Sequence, residues 1–432
     1  MLALQYQLEQ SQWWPPEALR AHQFEQLRAL LDHALRNVPF YRQRLAEAGV
    51  APKAPLTPEV WARIPLLTRE DIQQGGDALL GERLPKSHGR TSVTTTSGST
   101  GKPVTVTKPA LVQLFWNAIT LRGHFWHRRD LTKTLAVIRN LPAGMASYPQ
   151  GARLPDWGPG SGSVFATGAA VMLSAASGTD EQVLWLQRED PEYLLTLPTS
   201  LLELLRYCGA RGLRFRNLRH IETLGGVLHA EVRALCREVL GVPVVDTYSA
   251  QEVGYMALQC PDHEHFHVQA ESALVEILDD AGQPCGPGQW GRVVVTPLHN
   301  FAMPLIRYDI GDRAEVGPPC ACGRGLAVLR RILGRARNML TLPTGERVMP
   351  GFVNDWFEGF PVSQFQIVQL ARDHLETRIV PLRPFTEAEE ERVRALLIAR
   401  LGCPFRITIS YHDEIPRSSG GKYEDFRSEL EP

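Results

Sequence analysis

The sequence predicts an α/β protein, with a large N-terminal domain of mixed β-sheets and helices and a small, mobile α+β C-terminal domain. The chain has 432 residues, long enough for a sizeable core and at least two domains. Residues 219–250 show the sequence signals of a strand, a turn, a helix and a second strand, in that order. This is the order of a β-α-β unit in a parallel sheet. Near the C-terminus, strand-like segments flank a helical pattern over residues 387–401, which predicts the smaller domain.

Composition and charge restrict the class of protein. Hydrophobic residues make up 44% and charged residues 22% of the chain, as in ordinary soluble globular proteins. The formal net charge of −1 gives no general attraction to nucleic acid or to an anionic membrane. No segment approaches the roughly 20 apolar residues that span a bilayer, and the N-terminus has no signal-like run. We therefore expect a cytoplasmic protein without nucleic-acid or membrane partners.

The first 90 residues are expected to form a helical N-terminal region. Phe24, Leu27 and Leu31 recur at three- and four-residue steps, which places them on one face of a helix. Pro39, within the run 37–41, then interrupts the helical pattern. These helices are predicted to pack on a larger core.

A run of hydroxyl, glycine and lysine residues has the composition of a phosphate-binding loop. The run is Thr96, Ser97, Gly98, Ser99, Thr100, Gly101 and Lys102. Backbone N–H groups and side-chain hydroxyls of such a loop can close around a polyphosphate. It differs from the P-loop of nucleoside triphosphatases, because Pro103 follows the lysine and the alternation of Val104 and Val106 predicts a strand instead of a helix.

The β-α-β unit points to a ligand site at one edge of the sheet. Residues 220–224 form the first predicted strand and residues 242–246 the second, with a helix over 231–240. Ligands of open α/β sheets lie beyond the carboxyl ends of the strands. Gly225-Gly226 and the segment 248–254 occupy those positions, so both are candidate ligand-binding segments.

Three cysteines and a histidine form a candidate zinc site. Cys260 and His267 precede the pair Cys320 and Cys322, and three thiolates with one imidazole are a tetrahedral ligand set for Zn²⁺. Four protein ligands leave no open position, which favours a structural site over a catalytic one. His263 and His265 compete with His267, which we prefer because it begins a predicted strand. The alternative is reduced, free cysteines beside surface histidines.

These motifs, in this order, resemble the adenylate-forming superfamily of acyl-CoA synthetases, luciferases and adenylation domains. Within it the chain is most similar to the phenylacetate–CoA ligase group and the related proteins of capsular polysaccharide biosynthesis type. Two further runs support the resemblance: Met303 to Asp312, which reads Met-Pro-Leu-Ile-Arg-Tyr-Asp-Ile-Gly-Asp, and Gly420-Gly421-Lys422 near the C-terminus. The resemblance implies a large domain over residues 1–335, a C-terminal lid domain over residues 336–432, and rotation about residues 335–338.

The resemblance also assigns roles to individual residues. The loop 96–102 would hold the phosphates of ATP, Glu252 would help to hold Mg²⁺, and Lys422 would enter the active site during adenylation. The expected nucleotide contacts elsewhere are Gly225, Gly226 and Tyr248 around adenine, Asp312 at ribose, and Arg335 at ribose or phosphate. Asp246 and Thr247 are further expected nucleotide-binding residues. Val227 departs from the family pattern in the loop beside adenine, and Ser249 and Gln251 depart from it at positions that affect the contacts around the α-phosphate and the acyl group.

The implied reaction is activation of a carboxylic acid by ATP. The acid, with an aryl or arylacetic acid favoured, would form an acyl-adenylate and then pass its acyl group to coenzyme A. One alternative is transfer to an amine, a hydroxyl or a carrier-protein thiol, in natural-product or polysaccharide tailoring. The other is a non-catalytic relative that only binds nucleotide. The sequence leaves a homodimer open.

Overall fold

The computed structural model describes residues 1–96, 103–335, 339–348, 354–357, 359–416 and 425–430. The chain divides into two compact units, Met1–Ile332 and Leu333–Pro432. The loop residues 97–102, the expected hinge residues 336–338 and Lys422 lie outside the described ranges. Among the helices that are described, none is both long enough and apolar enough to cross a membrane.

The first unit begins with five helices, as the N-terminal pattern predicted. They are α1 (Leu2–Ser11), α2 (Pro16–Asn37), α3 (Pro39–Glu47), α4 (Pro58–Arg63) and α5 (Arg69–Gly75). Proline opens α2, α3 and α4, where its missing N–H and fixed φ are tolerated in the first turn. Leu27, Leu30 and Leu31 of α2 are buried in the main hydrophobic core of this unit, so its helices form part of that core.

A separate two-stranded hairpin carries the predicted phosphate loop. It consists of β1 (Thr91–Thr95) and β2 (Thr105–Pro109), which pair antiparallel from Thr91 opposite Pro109 to Thr95 opposite Thr105. The strand expected after the loop is therefore confirmed. The hairpin leads directly into α6 (Ala110–Trp126), which begins after β2.

Twelve strands of the described chain form one sheet, whose parallel part contains the predicted β-α-β unit. The parallel neighbours are β5 (Ala170–Ser174), β3 (Leu135–Arg139), β6 (Tyr193–Thr196), β7 (His220–Leu224) and β8 (Val244–Ala250). The antiparallel strands are β4 (Ala152–Leu154), β9 (Gly254–Gln259), β10 (Phe266–Val268), β11 (Ala273–Leu278), β12 (Trp290–Pro297), β13 (Tyr308–Val316) and β14 (Val328–Arg335).

Helices α7 (Thr179–Glu189), α8 (Pro198–Arg211) and α9 (Ala230–Val239) alternate with the parallel strands. Their apolar faces form a second core with β3, β5, β6 and β7, in which Trp185, Leu201 and Ile221 are fully buried. Parallel strands need such crossovers and are covered by them, which explains their nearly continuous apolar sequences.

The second unit is a small α+β domain, as predicted. Its four-stranded sheet has the order β19 (Arg406–Tyr411), β18 (His374–Pro381), β17 (Val362–Ala371), β20 (Phe426–Ser428). A short hairpin, β15 (Leu340–Thr341) with β16 (Arg347–Val348), precedes it. Helix α10 (Glu387–Leu401) begins with a capping box between Thr386 and Glu389 and buries Val393 and Leu397 in this unit's core.

Candidate active site

Tyr248 and Asp312 meet through a hydrogen bond although they lie on strands that are not neighbours. The Tyr248 hydroxyl donates to Asp312 Oδ2 at 2.8 Å, and each residue is 9% exposed. Tyr248 stands on β8 and Asp312 on β13, and three strands lie between them in the sheet order. The structure therefore brings the expected adenine residue and the expected ribose residue to one place.

The segment that carries Asp312 is anchored by Arg307, which the sequence analysis missed. Arg307 has a φ of 52°, a value that residues other than glycine rarely adopt, and its side chain is buried. Its guanidinium donates to the carbonyls of Ala62 and Ile64 at 2.8 and 2.7 Å and pairs with Glu276 at 3.2 Å. Arg307 thereby ties the strand of Asp312 to the N-terminal helices. In the sequence, the signal for this role is that a charged residue, Arg307, directly follows the apolar residues 303–306.

The Gly225-Gly226 turn lies at the same sheet edge as Tyr248. Leu224 pairs with Thr247 in the register of β7 and β8, so the turn that follows β7 flanks the end of β8. Gly225 has a φ of 78°, which favours glycine. A Cβ added at Gly226 would lie 3.4 Å from the Pro198 ring, so this position is closely packed against the start of α8.

The side chains of Asp246 and Thr247 are held inside the sheet. Thr223 donates to Asp246 Oδ1 at 2.7 Å, and burial raises the pKa of Asp246 to about 7. The Thr247 hydroxyl donates to Glu222 Oε1 at 2.9 Å. The carboxyl groups of Asp246 and Glu222 thus both accept hydrogen bonds from threonine side chains within the sheet.

Glu222 belongs to a buried charged network that the sequence gave no reason to expect. Arg129 pairs with Glu222 at 2.5 Å and also donates to ring nitrogens of His124 and His220 at 2.9 and 3.2 Å. A guanidinium can only donate, so both ring nitrogens must be acceptors and both histidines neutral. Burial, reinforced by the Arg129 charge, lowers the pKa of each of these histidines to about 3. Burial is the largest single influence and opposes ionisation of Glu222, but electrostatic interaction with Arg129 and His124 and the hydrogen bonds from Arg129 and Thr247 together outweigh it and lower the pKa of Glu222 to about 2.

Glu252 presents a buried carboxylate that fits a cation. It lies in the turn between β8 and β9 and is 4% exposed. Within the described part of the chain, its carboxylate has neither a hydrogen bond nor an ion pair. Such a group is costly to bury alone, and carboxylate oxygen is a preferred ligand of Mg²⁺. Lys108 on β2 is close enough to interact with this carboxylate: burial lowers the pKa of Lys108, and attraction to Glu252 raises it by a smaller amount.

The remaining nucleotide candidates are only partly described. Thr96 lies at the base of the phosphate loop, where its hydroxyl accepts from the Val104 N–H at 2.9 Å and from Arg69 at 3.2 Å. Ser97, Gly98, Ser99, Thr100, Gly101, Lys102 and Lys422 lie outside the described residues. Arg335 is the last residue of β14 and belongs to the second unit.

The predicted zinc ligands converge. The ligand atoms of Cys260, His267, Cys320 and Cys322 all lie within 4.8 Å of one another. Cys260 Sγ is 3.9 Å from Cys320 Sγ, and Cys322 Sγ is 3.3 Å from His267 Nε2. Two sulfurs at tetrahedral positions around zinc would be about 3.8 Å apart, given Zn–S bonds of about 2.3 Å.

His267, rather than His263 or His265, completes this group of four. It is fully buried, whereas the alternative interpretation required a surface histidine. Its Nδ1 lies 3.4 Å from the carbonyl oxygen of Leu326. An N–H at Nδ1 leaves Nε2 available as the ligand atom, which is the usual outer-shell arrangement of metal-binding histidines. The donor set therefore fits zinc.

Known proteins resemble the chain over nearly its whole length. Phenylacetate-coenzyme A ligase of Thermus thermophilus is 29% identical, with 94% of this chain and 96% of that protein covered. The enzyme of the same name from Pseudomonas putida is 26% identical over 92% of this chain and 90% of its own. Residues 340–428 match the family described as CapK C-terminal domain.

The fold is that of known acyl-CoA ligases. The structure of 2-hydroxyisobutyryl-CoA ligase in the postadenylation state, bound to an acyl-AMP, superposes with a TM-score of 0.74. It is 20% identical, and the comparison covers 98% of this chain and 92% of that one. The resemblance inferred from the motifs is therefore confirmed: the chain is similar to the phenylacetate–CoA ligases along nearly its entire length and has the adenylate-forming ligase fold.

Proposed function

We propose that this protein is an AMP-forming acid–CoA ligase. A carboxylate attacks the α-phosphorus of ATP to give an acyl-adenylate and pyrophosphate, and the thiol of coenzyme A then displaces AMP to give an acyl-CoA. The observation that carries the proposal is the hydrogen bond between Tyr248 and Asp312, because it joins two motifs expected to hold different parts of one nucleotide. Similarity to phenylacetate-coenzyme A ligases along nearly the whole chain supports the same reaction.

The described residues would bind and orient ATP. The Tyr248 ring and the Gly225-Gly226 turn would flank adenine, since they lie at one edge of the sheet. Asp312, oriented by the Tyr248 hydroxyl, would accept hydrogen bonds from the ribose hydroxyls. The roles of Lys102 and Lys422 are inferred from the sequence motifs that contain them. An ammonium group beside the transferring phosphoryl group would stabilise the negative charge that develops there.

Glu252 would hold Mg²⁺ on the ATP phosphates. Its carboxylate is buried and forms no hydrogen bond or ion pair with another described residue, so its oxygens are available to a cation. When bound, the metal ion neutralises charge on the phosphates. The four-ligand group at Cys260 would hold a structural Zn²⁺. Elemental analysis of the purified protein would test this assignment, and a protein without zinc at full stability would contradict it.

We favour an aryl or arylacetic acid as the substrate, because the similar proteins named above are phenylacetate–CoA ligases. Since ATP and coenzyme A are cytoplasmic substrates, we place the reaction in the cytoplasm. Val227 departs from the family pattern beside adenine, and Ser249 and Gln251 depart from it at positions expected near the acyl group and the α-phosphate. Transfer to an amine, a hydroxyl or a carrier-protein thiol therefore remains the competing proposal.

Pyrophosphate release with a panel of carboxylic acids would test the function. We expect release with ATP and an arylacetic acid, and formation of AMP and an acyl-CoA when coenzyme A is added. A product that forms only when an amine is supplied would support the competing proposal, in which the acyl group passes to an amine and not to coenzyme A. The absence of release with every acid would contradict adenylation.

Lys422→Ala is the matched test of the proposed catalytic lysine. It should abolish adenylate formation and leave ATP binding intact, because the lysine is assigned to the transition state. The control is Lys53→Ala, which removes an exposed lysine from a loop of the first unit. Undiminished pyrophosphate release by the Lys422 variant would show that its assigned role is wrong.

A further inference from the structure

Lys108 connects the hairpin of the phosphate loop to the turn that carries Glu252. It stands on β2, opposite Ser92 of β1, six positions after Lys102. Its Nζ donates to the main-chain carbonyl of Gln251 at 2.8 Å, across 143 residues of sequence. Gln251 is the residue immediately before Glu252, so one hydrogen bond links the two candidate phosphate and metal segments.

The Lys108 ammonium acts on the turn and not directly on the Glu252 carboxylate. The two side chains attract each other, but the described residues include no ion pair between them. The Glu252 carboxylate therefore stays available, while the main chain beside it is held by the half-buried Lys108, through a hydrogen bond to the exposed residue Gln251. A hydrogen bond from a charged group is among the stronger kinds in proteins.

We propose that Lys108 is a positioning residue for the metal–nucleotide complex. It fixes the turn of Glu252 relative to the β1–β2 hairpin, so that the Glu252 carboxylate would be held in place to bind Mg²⁺ together with ATP. This inference rests on the proposed function, because it requires Mg²⁺ and ATP as ligands. It adds a residue that neither the phosphate-loop motif nor the motif around Tyr248 contains.

An electrostatic role and a positioning role for Lys108 predict opposite changes in metal binding when this lysine is removed. If Lys108 acted only through its charge, removal of a cation near Glu252 would strengthen the binding of a divalent metal ion. If it holds the turn, its removal lets the carboxylate move away from the phosphates and weakens metal binding. The sign of the change therefore distinguishes a positioning role from an electrostatic one.

The experiment measures Mn²⁺ binding, by the electron paramagnetic resonance signal of the free ion, in the presence of a non-hydrolysable ATP analogue. For Lys108→Met we expect the Kd for Mn²⁺ to rise roughly tenfold or more, as for the loss of a charged hydrogen bond. The Mg²⁺ concentration for half-maximal pyrophosphate release should rise in parallel. Lys108→Arg should restore both, because its guanidinium can still donate to the carbonyl. Unchanged or tighter Mn²⁺ binding by Lys108→Met would overturn the proposal.

Two further variants make the result interpretable. Lys86→Met removes an exposed lysine near the hairpin and should bind Mn²⁺ as the unmodified protein does. If the Lys108→Met variant does not fold, the Lys108→Gln variant is used instead. The shorter, neutral glutamine side chain should also weaken Mn²⁺ binding. Unchanged Mn²⁺ binding by Lys108→Gln would refute the inference as well. Failure of the unmodified protein to release pyrophosphate would instead contradict the proposed function.

Discussion

Tyr248→Phe tests the pairing on which the nucleotide site depends. The change keeps the aromatic ring that would flank adenine and removes only the hydroxyl that donates to Asp312 at 2.8 Å. Both residues are 9% exposed, so water replaces the lost donor poorly. A hydrogen bond to a charged group contributes about 1.5–3 kcal/mol. If the bond serves to orient Asp312 toward ribose, ATP binding should weaken by roughly 10- to 100-fold, since about 1.4 kcal/mol corresponds to a factor of ten.

Calorimetric titration with ATP and with 2′-deoxy-ATP would measure this effect. Asp312→Asn should weaken ATP binding similarly, because an amide accepts fewer hydrogen bonds than a carboxylate. The Tyr248→Phe/Asp312→Asn double variant should lose less than the sum of the single changes, as expected for residues in contact. 2′-Deoxy-ATP should bind weakly to the unmodified protein and lose little more in the Asp312 variant.

Two results would refute the reasoning. Strict additivity of the two changes would show that Tyr248 does not act through Asp312. ATP binding that is unchanged in both single variants would place the nucleotide elsewhere, and the proposed function would then lose its main structural support.

Three other predictions address the metal ions and pH. Glu252→Gln should raise the Mg²⁺ concentration for half-maximal pyrophosphate release by at least tenfold, because a charged ligand is lost; an unchanged Mg²⁺ dependence would remove Glu252 from the metal site. Cys320→Ser should lower both the bound zinc and the thermal unfolding midpoint, by several degrees or more, because structural zinc contributes folding free energy; equal zinc content would contradict the ligand set. The buried histidines His124 and His220 and the partly buried His127 have pKa values of about 3, about 3 and about 4, below the ordinary 6.5. At mildly acid pH they therefore bind protons only after unfolding. The free energy of unfolding should therefore be highest above pH 6.5 and should fall as the pH drops toward 4. The decrease is at most about 4 kcal/mol per pH unit, because unfolding takes up at most three protons. A free energy of unfolding that stays constant from pH 6.5 to 4.5 in urea titrations would refute this.

Local patterns in the sequence were sufficient to predict the elements and the order of the motifs. Alternation of apolar residues after Pro103 predicted a strand, and the strand, glycine turn and helix of 220–240 predicted a β-α-β unit. Such signals arise within a few residues, because backbone geometry fixes the spacing of side chains on one face. The candidate residues at the strand ends followed from the same rule about parallel sheets.

Contacts between distant segments depended on the tertiary structure. The hydrogen bond from Tyr248 to Asp312 spans 64 residues and follows from the strand order, which no local pattern encodes. The choice of His267 among three nearby histidines depended on which ring faces the cysteines. The bond from Lys108 to Gln251 spans 143 residues, and it forms because folding places a hairpin strand beside a turn of the main sheet. Sequence therefore determined which chemical groups are available, and the packing of the sheet decided which of them meet.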